Sequence, residues 1–240
     1  MISIATKELS PTEIEAVNRI KDWVNQSIYT RDQIAEQSPA VKPKPVWQLI
    51  TQIFAYLKVL PPEQFKNLLV HTYPFNGLSH LNCLSTGLKE FQLRYNFLHT
   101  NLPPRYRISA PEACGECGYM IDGRLVTEDV IRWQELIRVL WKIGELARLE
   151  RLNRPVILDI GGGYGDLAHY FHCLFPQALY IIVDIPETLL FSASYLTLIH
   201  GKEKVILLDS EKEVSPESLK GESFLMVPNH LMPVLIPIPF

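Results

Sequence analysis

The chain has 240 residues, of which 47% are apolar and 20% are charged. This composition is typical of a folded protein and excludes a largely disordered chain. The formal net charge is −3 and lysine and arginine form no block, so the sequence predicts no nucleic-acid partner. Four cysteines are too few for a disulfide framework. The N-terminus has no secretory pattern and no apolar run is long enough to span a bilayer, so we expect a cytoplasmic protein without a membrane partner.

Residues 1–152 form the first predicted region, and their pattern is helical. Ser10, Pro11 and Glu13 make a helix start with a capping box, after which apolar residues recur at three- and four-residue steps. Further helices are predicted for residues 46–60, 62–70, 85–99 and 127–152. Tryptophans such as Trp47 and Trp133 fall on apolar helical faces, where we expect core positions. The region is expected to serve as a substrate lid or a dimerisation element.

Residues 153–240 form the second predicted region, in which short β-branched runs alternate with helical segments. Strands are predicted at residues 156–160, 180–184, 205–209 and 223–227, the first of them buried, and helices at residues 166–175 and 188–200. This alternation is typical of parallel strands joined by right-handed crossovers. The sequence therefore predicts an α/β protein with a partial Rossmann-like sheet of about four parallel strands.

A glycine-rich loop joins the first of these strands to the first helix. Asp159 precedes the loop, and Gly161, Gly162, Gly163 and Gly165 make most of it. A sharp turn needs positive φ angles, and a ligand lying on the loop needs backbone without Cβ atoms. The helix N-terminus that follows offers N–H groups to an anion. We therefore predict that this loop binds the methionine carboxylate of S-adenosylmethionine (SAM).

Acidic residues also end the next two strands. Asp184, with Ile185 beside it, ends the second strand, where a carboxylate accepts hydrogen bonds from ribose hydroxyls. Asp209 ends the third strand and is predicted to meet the adenine amino group. Open α/β sheets bind ligands at the carboxyl ends of their strands. An NAD-binding loop is the competing interpretation, but Asp166 stands where the third glycine of that fingerprint belongs, so SAM is favoured.

Two sequence runs carry a family resemblance. LDIGGGYGDLAHY and VDIPETLLFSASYL resemble the sugar O-methyltransferase family of class I SAM-dependent methyltransferases, and the resemblance covers residues 105–227. It implies an enzyme that transfers a methyl group from SAM to a hydroxyl of a sugar or other small molecule. The family's catalytic residues do not carry over, because no motif for them is matched in this chain.

Candidate catalytic residues follow the fourth predicted strand. His230 is the candidate base and Asn229 is expected to orient the acceptor, although an ordinary turn is the simpler interpretation of both. No metal site is predicted. Cys114 and Cys117 supply only half of a zinc pattern, and His169 has no acid nearby to complete a ligand set.

The predicted sheet is shorter than that of a class I methyltransferase. About four strands fit between Val156 and the end of the chain, which predicts a truncated domain with a bare edge beside the fourth strand. We expect the apolar tail at residues 231–240 to cover that edge or to mediate self-association. The sequence therefore leaves two alternatives open, a non-catalytic SAM-fold module for binding or assembly and an NAD-dependent enzyme.

Overall fold

A computed structural model of the chain describes residues 2–72, 87–208 and 223–232. Short 3-10 turns connect several elements, and the longest described one lies at Pro62–Thr72. In chain order the described strands and helices are β1 (Ile2–Ala5), α1 (Pro11–Gln37), α2 (Pro45–Phe54), α3 (Leu88–His99), β2 (Glu116–Ile121), β3 (Arg124–Val126), α4 (Glu128–Lys142), α5 (Glu145–Glu150), β4 (Val156–Ile160), α6 (Asp166–Leu174), β5 (Leu179–Asp184), α7 (Pro186–His200), β6 (Val205–Leu207) and β7 (Ser223–Pro228).

The capping box predicted for α1 is confirmed. The Glu13 N–H donates to the Ser10 hydroxyl at 3.3 Å, and the Ser10 N–H donates to the Glu13 carboxylate at 2.8 Å. Helix α1 then packs along α7, and the indole of Trp23 donates to the Leu208 carbonyl at 3.1 Å. Because α1 lies against both a helix and a strand end of the second region, the two predicted regions share one hydrophobic core.

The prediction that residues 1–152 are helical is wrong for three short segments. Strands β1, β2 and β3 form an antiparallel sheet in the order β1-β2-β3. Gly118 of β2 lies so close to β3 that a Cβ atom would stand 2.2 Å from the Val126 carbonyl oxygen. Strands β1 and β3 have only four and three residues, and β2 is buried at five of its six positions, so none of the three shows a period of two in the sequence.

The single helix predicted for residues 127–152 is also wrong. Thr127 caps its start as expected, since the Val130 N–H donates to the Thr127 hydroxyl at 3.1 Å. The helix then stops at Lys142, because Gly144 adopts a left-handed φ of +82° and a second helix begins at Glu145. The apolar spacing continues across this break, so periodicity alone does not reveal it.

The second region contains the predicted four-stranded parallel sheet. Its order is β4-β5-β7-β6, and all three ladders are parallel. Alternate residues face opposite sides, so that Tyr180 and Ile182 of β5 join the main core while Ile181 and Val183 join a smaller cluster on the other face. This mixed α/β architecture is consistent with a Rossmann-like fold.

Strand β4 is not the buried strand that its apolar run predicted. It pairs with β5 alone among the described residues, and Leu158 and Ile160 are 52% and 64% exposed. In the usual dinucleotide-binding order the first strand lies inside the sheet, whereas here it forms an edge. A β-branched run indicates a strand but does not say how many neighbours that strand has, so its position had to come from the tertiary structure.

The described helices also bear on membrane insertion. None of those within residues 2–72, 87–208 and 223–232 combines the length and the apolarity that a bilayer crossing requires. Helix α1 is long enough but has polar residues on its exposed side, and α7 is apolar but has only 15 residues.

Candidate functional site

The glycine loop turns sharply between β4 and α6, at the carboxyl edge of the parallel sheet. Gly161 has a φ of +82° and Gly163 a φ of +59°, values that favour glycine. The Gly161 N–H donates to the Val183 carbonyl at 2.8 Å and ties the loop to β5. At Gly162 a Cβ atom would lie 2.9 Å from the Ile182 side chain, so the loop passes over β5 without room for one.

Gly165 has a packing role. A Cβ atom there would stand 3.2 Å from the Cβ of Ser192, because the start of α6 approaches α7 closely at this point. Gly165 is therefore required for the contact between two helices, and it does not line the cavity described below.

Asp184 joins the end of β5 to the glycine loop. Its carboxylate accepts from the Gly163 N–H at 3.3 Å and from the Ile185 N–H at 2.8 Å. Burial raises the pKa of Asp184 to about 7, although these two N–H groups favour the ionised form. Asp184 thus holds the loop in place while remaining partly accessible, and Ile185 is the N-cap of α7. Neither residue lines the cavity described below, so their contact with a ligand stays a prediction.

The loop forms one wall of a cavity of about 220 Å³. Two carboxylates, Asp159 and Asp166, lie in its lining with Arg132 and two tryptophans, Trp47 and Trp133. The backbone of Gly161, Gly162 and Gly163 completes the wall. A polar cavity of this kind, at the carboxyl ends of parallel strands, is where open α/β sheets hold their ligands.

The two carboxylates in the lining are both hydrogen-bonded to the protein. Asp159 accepts from the Tyr180 hydroxyl at 2.9 Å. Asp166 accepts from the Trp133 indole and from the Leu167 N–H. Burial raises the pKa of Asp166 to about 7, and the nearby Asp129 acts in the same direction. Burial also raises the pKa of Asp159. Asp166 can therefore carry a proton near neutral pH.

Sequence reasoning missed Arg132, Trp133 and Trp47 as lining residues. Arg132 and Trp133 come from α4, and Arg132 is held by Asp129 at 2.5 Å. Trp47 comes from the start of α2 and is 41% exposed, so its expected core position is wrong. No local signal marks these residues, since their helices lie far from the loop in sequence and reach it only after folding.

The candidate catalytic residues Asn229 and His230 do not line this cavity. They follow β7, where the Asn229 amide donates to the Val41 carbonyl at 3.1 Å. His230 is only 8% exposed, and burial together with the positive charge of Arg31 lowers its pKa. Its Nδ1 atom is buried and has no hydrogen-bond partner among the residues that the structure describes. The pair therefore lies outside the cavity lining, although Pro228 just before it is the register partner of Asp184 at the end of β5.

Asp209, the predicted adenine contact, lies outside the described residues. The cysteines and histidines considered as metal ligands are described. Within residues 2–72, 87–208 and 223–232, no three His, Cys, Asp or Glu side chains are arranged to hold a metal ion. His169 instead pairs with His200, at 2.9 Å between ring nitrogens, and both histidines have a lowered pKa, mainly through burial.

Comparison with known proteins identifies no relative of this chain. No protein-family model, curated protein or solved structure matches this chain. The function of the cavity is therefore inferred from the residues that line it.

Proposed function

We propose that the glycine-loop cavity binds SAM and that the chain is an O-methyltransferase acting on a hydroxyl of a sugar or other small molecule. The observation that carries this proposal is the composition of one cavity: a glycine loop, two carboxylates, an arginine and two tryptophans. A pyrophosphate would lie next to Asp159 and Asp166, which repel it, so an NAD-type ligand is disfavoured.

The lining matches the charges of the methionyl end of SAM. That end carries an ammonium group, for which Asp159 and Asp166 are the natural partners. It also carries a carboxylate, which Arg132 and the N–H groups of the loop can bind. The same residues would give an isolated phosphate only one cation and two repelling anions, so an α-amino acid group is the better fit.

The tryptophans suit the third charge of SAM, the sulfonium. An aromatic ring attracts a cation placed over its face, and tryptophan does so most strongly. Trp47 and Trp133 are the two tryptophans among the lining residues, and Tyr164 is a third aromatic residue there. Bound SAM would supply a methyl group activated by that sulfonium. The chain's part is to orient the methionyl end through the loop, which Asp184 holds in place, and to exclude water with the indoles.

Calorimetric titration of S-adenosylhomocysteine into the purified chain tests the proposal. We expect saturable binding that Asp184→Ala weakens at least about tenfold, since a hydrogen bond to a charged group is worth about 1.5–3 kcal/mol. Asp22→Ala, which removes an exposed carboxyl from α1, is the matched control and should bind normally. Stabilisation by NADH with no binding of S-adenosylhomocysteine would instead support the NAD-dependent alternative.

The affinity should also depend on pH. The ionised carboxylate of Asp184 is the form that accepts hydrogen bonds from ribose hydroxyls, and its pKa is about 7. Affinity should therefore fall as pH drops through 7, by about tenfold between pH 8 and pH 6 if only the ionised form binds. Titrations at the two pH values check this. Asp184→Asn should reduce the difference, and the part that remains reports Asp166, whose pKa is also about 7. Equal affinities at both pH values would contradict the role of Asp184.

A non-catalytic SAM-binding module is the second candidate. The absence of His230 and Asn229 from the cavity lining favours it, because these predicted catalytic residues do not face a ligand there. Incubation with SAM and a panel of sugars, followed by detection of S-adenosylhomocysteine, separates the two candidates. Binding with turnover supports the enzyme, and binding without turnover on any acceptor supports the module.

A further inference from the structure

Helix α2 carries an apolar stripe that faces solvent. Val46, Leu49 and Ile53 recur at helical spacing on one flank and are 61%, 60% and 48% exposed. Phe54, on the flank that faces the protein, is 3% exposed. Val59, just beyond the helix, is 81% exposed. A folded chain does not normally leave a continuous apolar stripe in water, so the stripe indicates an interaction surface.

The same segment is positively charged. No Asp or Glu occurs between Glu36 and Glu63, whereas Lys42, Lys44 and Lys58 fall in that interval, in a chain whose net charge is −3. Lys42 and Lys44 are exposed and lie immediately before α2. We use the name α2 surface for the apolar residues Val46, Leu49, Ile53 and Val59 together with the lysines Lys42 and Lys44.

We propose that the α2 surface docks on the surface of an anionic lipid bilayer. A helix with an apolar stripe and neighbouring lysines lies in the plane of such an interface, its apolar side chains among the acyl chains and its lysines at the anionic headgroups. A second copy of this chain fits less well, because pairing two α2 surfaces would oppose their lysines with no acid between them. Docking does not require a helix that spans the bilayer. The proposal therefore departs from the sequence-based expectation of no membrane partner, which rested on the lengths of apolar runs alone.

The position of α2 relates this surface to the glycine-loop cavity. Trp47 follows Val46 in the helix and lines that cavity, so docking would bring the cavity wall close to the headgroups. The docking itself does not depend on SAM. It can therefore be tested on the whole chain without a cofactor.

Vesicle flotation tests the proposal. The whole chain is mixed with vesicles of phosphatidylcholine alone, or with vesicles in which phosphatidylserine replaces about a third of the lipid. We expect binding to the anionic vesicles only, weakened by added salt because the headgroup attraction is screened. Lys42→Glu with Lys44→Glu should weaken it at least about tenfold, since each lysine near the surface contributes about a factor of five. Leu49→Ser should also weaken it.

Matched control variants distinguish specific docking from non-specific adsorption to vesicles. Leu93 on α3 is 62% exposed, almost the same as Leu49, and Lys89 and Lys142 are exposed lysines outside the α2 surface. Leu93→Ser and the pair Lys89→Glu with Lys142→Glu should leave vesicle binding unchanged. Equal binding to neutral and anionic vesicles, or an equal loss in the control variants, overturns the proposal. Absence of binding to both kinds of vesicle also overturns the proposal. That outcome would favour an acidic protein as the partner of the α2 surface.

Discussion

Replacing Arg31 by methionine is expected to lower the free energy of unfolding by about 3–5 kcal/mol. The Arg31 guanidinium lies 2.7 Å from the Glu187 carboxylate, and the two side chains are only 6% and 11% exposed. Removing the cation leaves a buried carboxylate without its partner, which costs more than the pair itself contributes. Urea unfolding of the two proteins at neutral pH measures the difference.

The matched control is Arg148→Met. Arg148 also forms an ion pair, with Glu145, but these side chains are 59% and 33% exposed, so the loss should be at most about 0.5 kcal/mol. The double variant Arg31→Met with Glu187→Leu should recover most of the stability, because no buried charge is left unpaired. Equal effects of Arg31→Met and Arg148→Met would show that the α1–α7 contact is not formed as described.

Gly118→Ala is expected to destabilise the protein by about 3 kcal/mol or more. The added Cβ atom would lie 2.2 Å from the Val126 carbonyl oxygen and 2.8 Å from its carbon, and both are backbone atoms that cannot rotate away. Strands β2 and β3 would have to separate, which disturbs the small antiparallel sheet. Chemical denaturation measures the loss.

Gly123→Ala is the control for this substitution. Gly123 lies in the turn between β2 and β3 with a φ of +75° and has no atom within 4 Å of the added Cβ position. Gly123→Ala should lower the free energy of unfolding by only about 1–2 kcal/mol, because alanine is strained in the left-handed backbone conformation. If Gly123→Ala lowers the free energy of unfolding as much as Gly118→Ala does, β2 and β3 do not approach each other as closely as described.

Local patterns predicted those elements whose stabilising contacts are local. The capping box at Ser10 was found because both of its hydrogen bonds lie within four residues. The alternation of strands and helices from Val156 onward predicted a parallel sheet, since each crossover needs a helix of its own. The break at Gly144 was missed because the apolar spacing continues on both sides of it.

The candidate site was predicted in part. Asp159 and the glycines Gly161, Gly162 and Gly163 do lie at one cavity, since they are neighbours in sequence and the strand end positions them together, whereas Gly165 lies outside its lining. Asp184 meets the loop through Gly163, a contact that follows from the pairing of β4 with β5. Trp47 and Arg132 could not be predicted there, because nothing near them in sequence indicates the loop.

The sequence by itself determined the short-range features of this protein: where helices begin, where the loop turns, and which acids follow strands. These depend on backbone angles and on hydrogen bonds between near neighbours. Only the tertiary structure decided that β4 lies at an edge of the sheet that the described residues form, that His230 does not line the cavity and that α2 faces solvent. Each of these depends on which distant segments pack together, and an apolar residue in a sequence does not specify the neighbour that buries it, or whether any does.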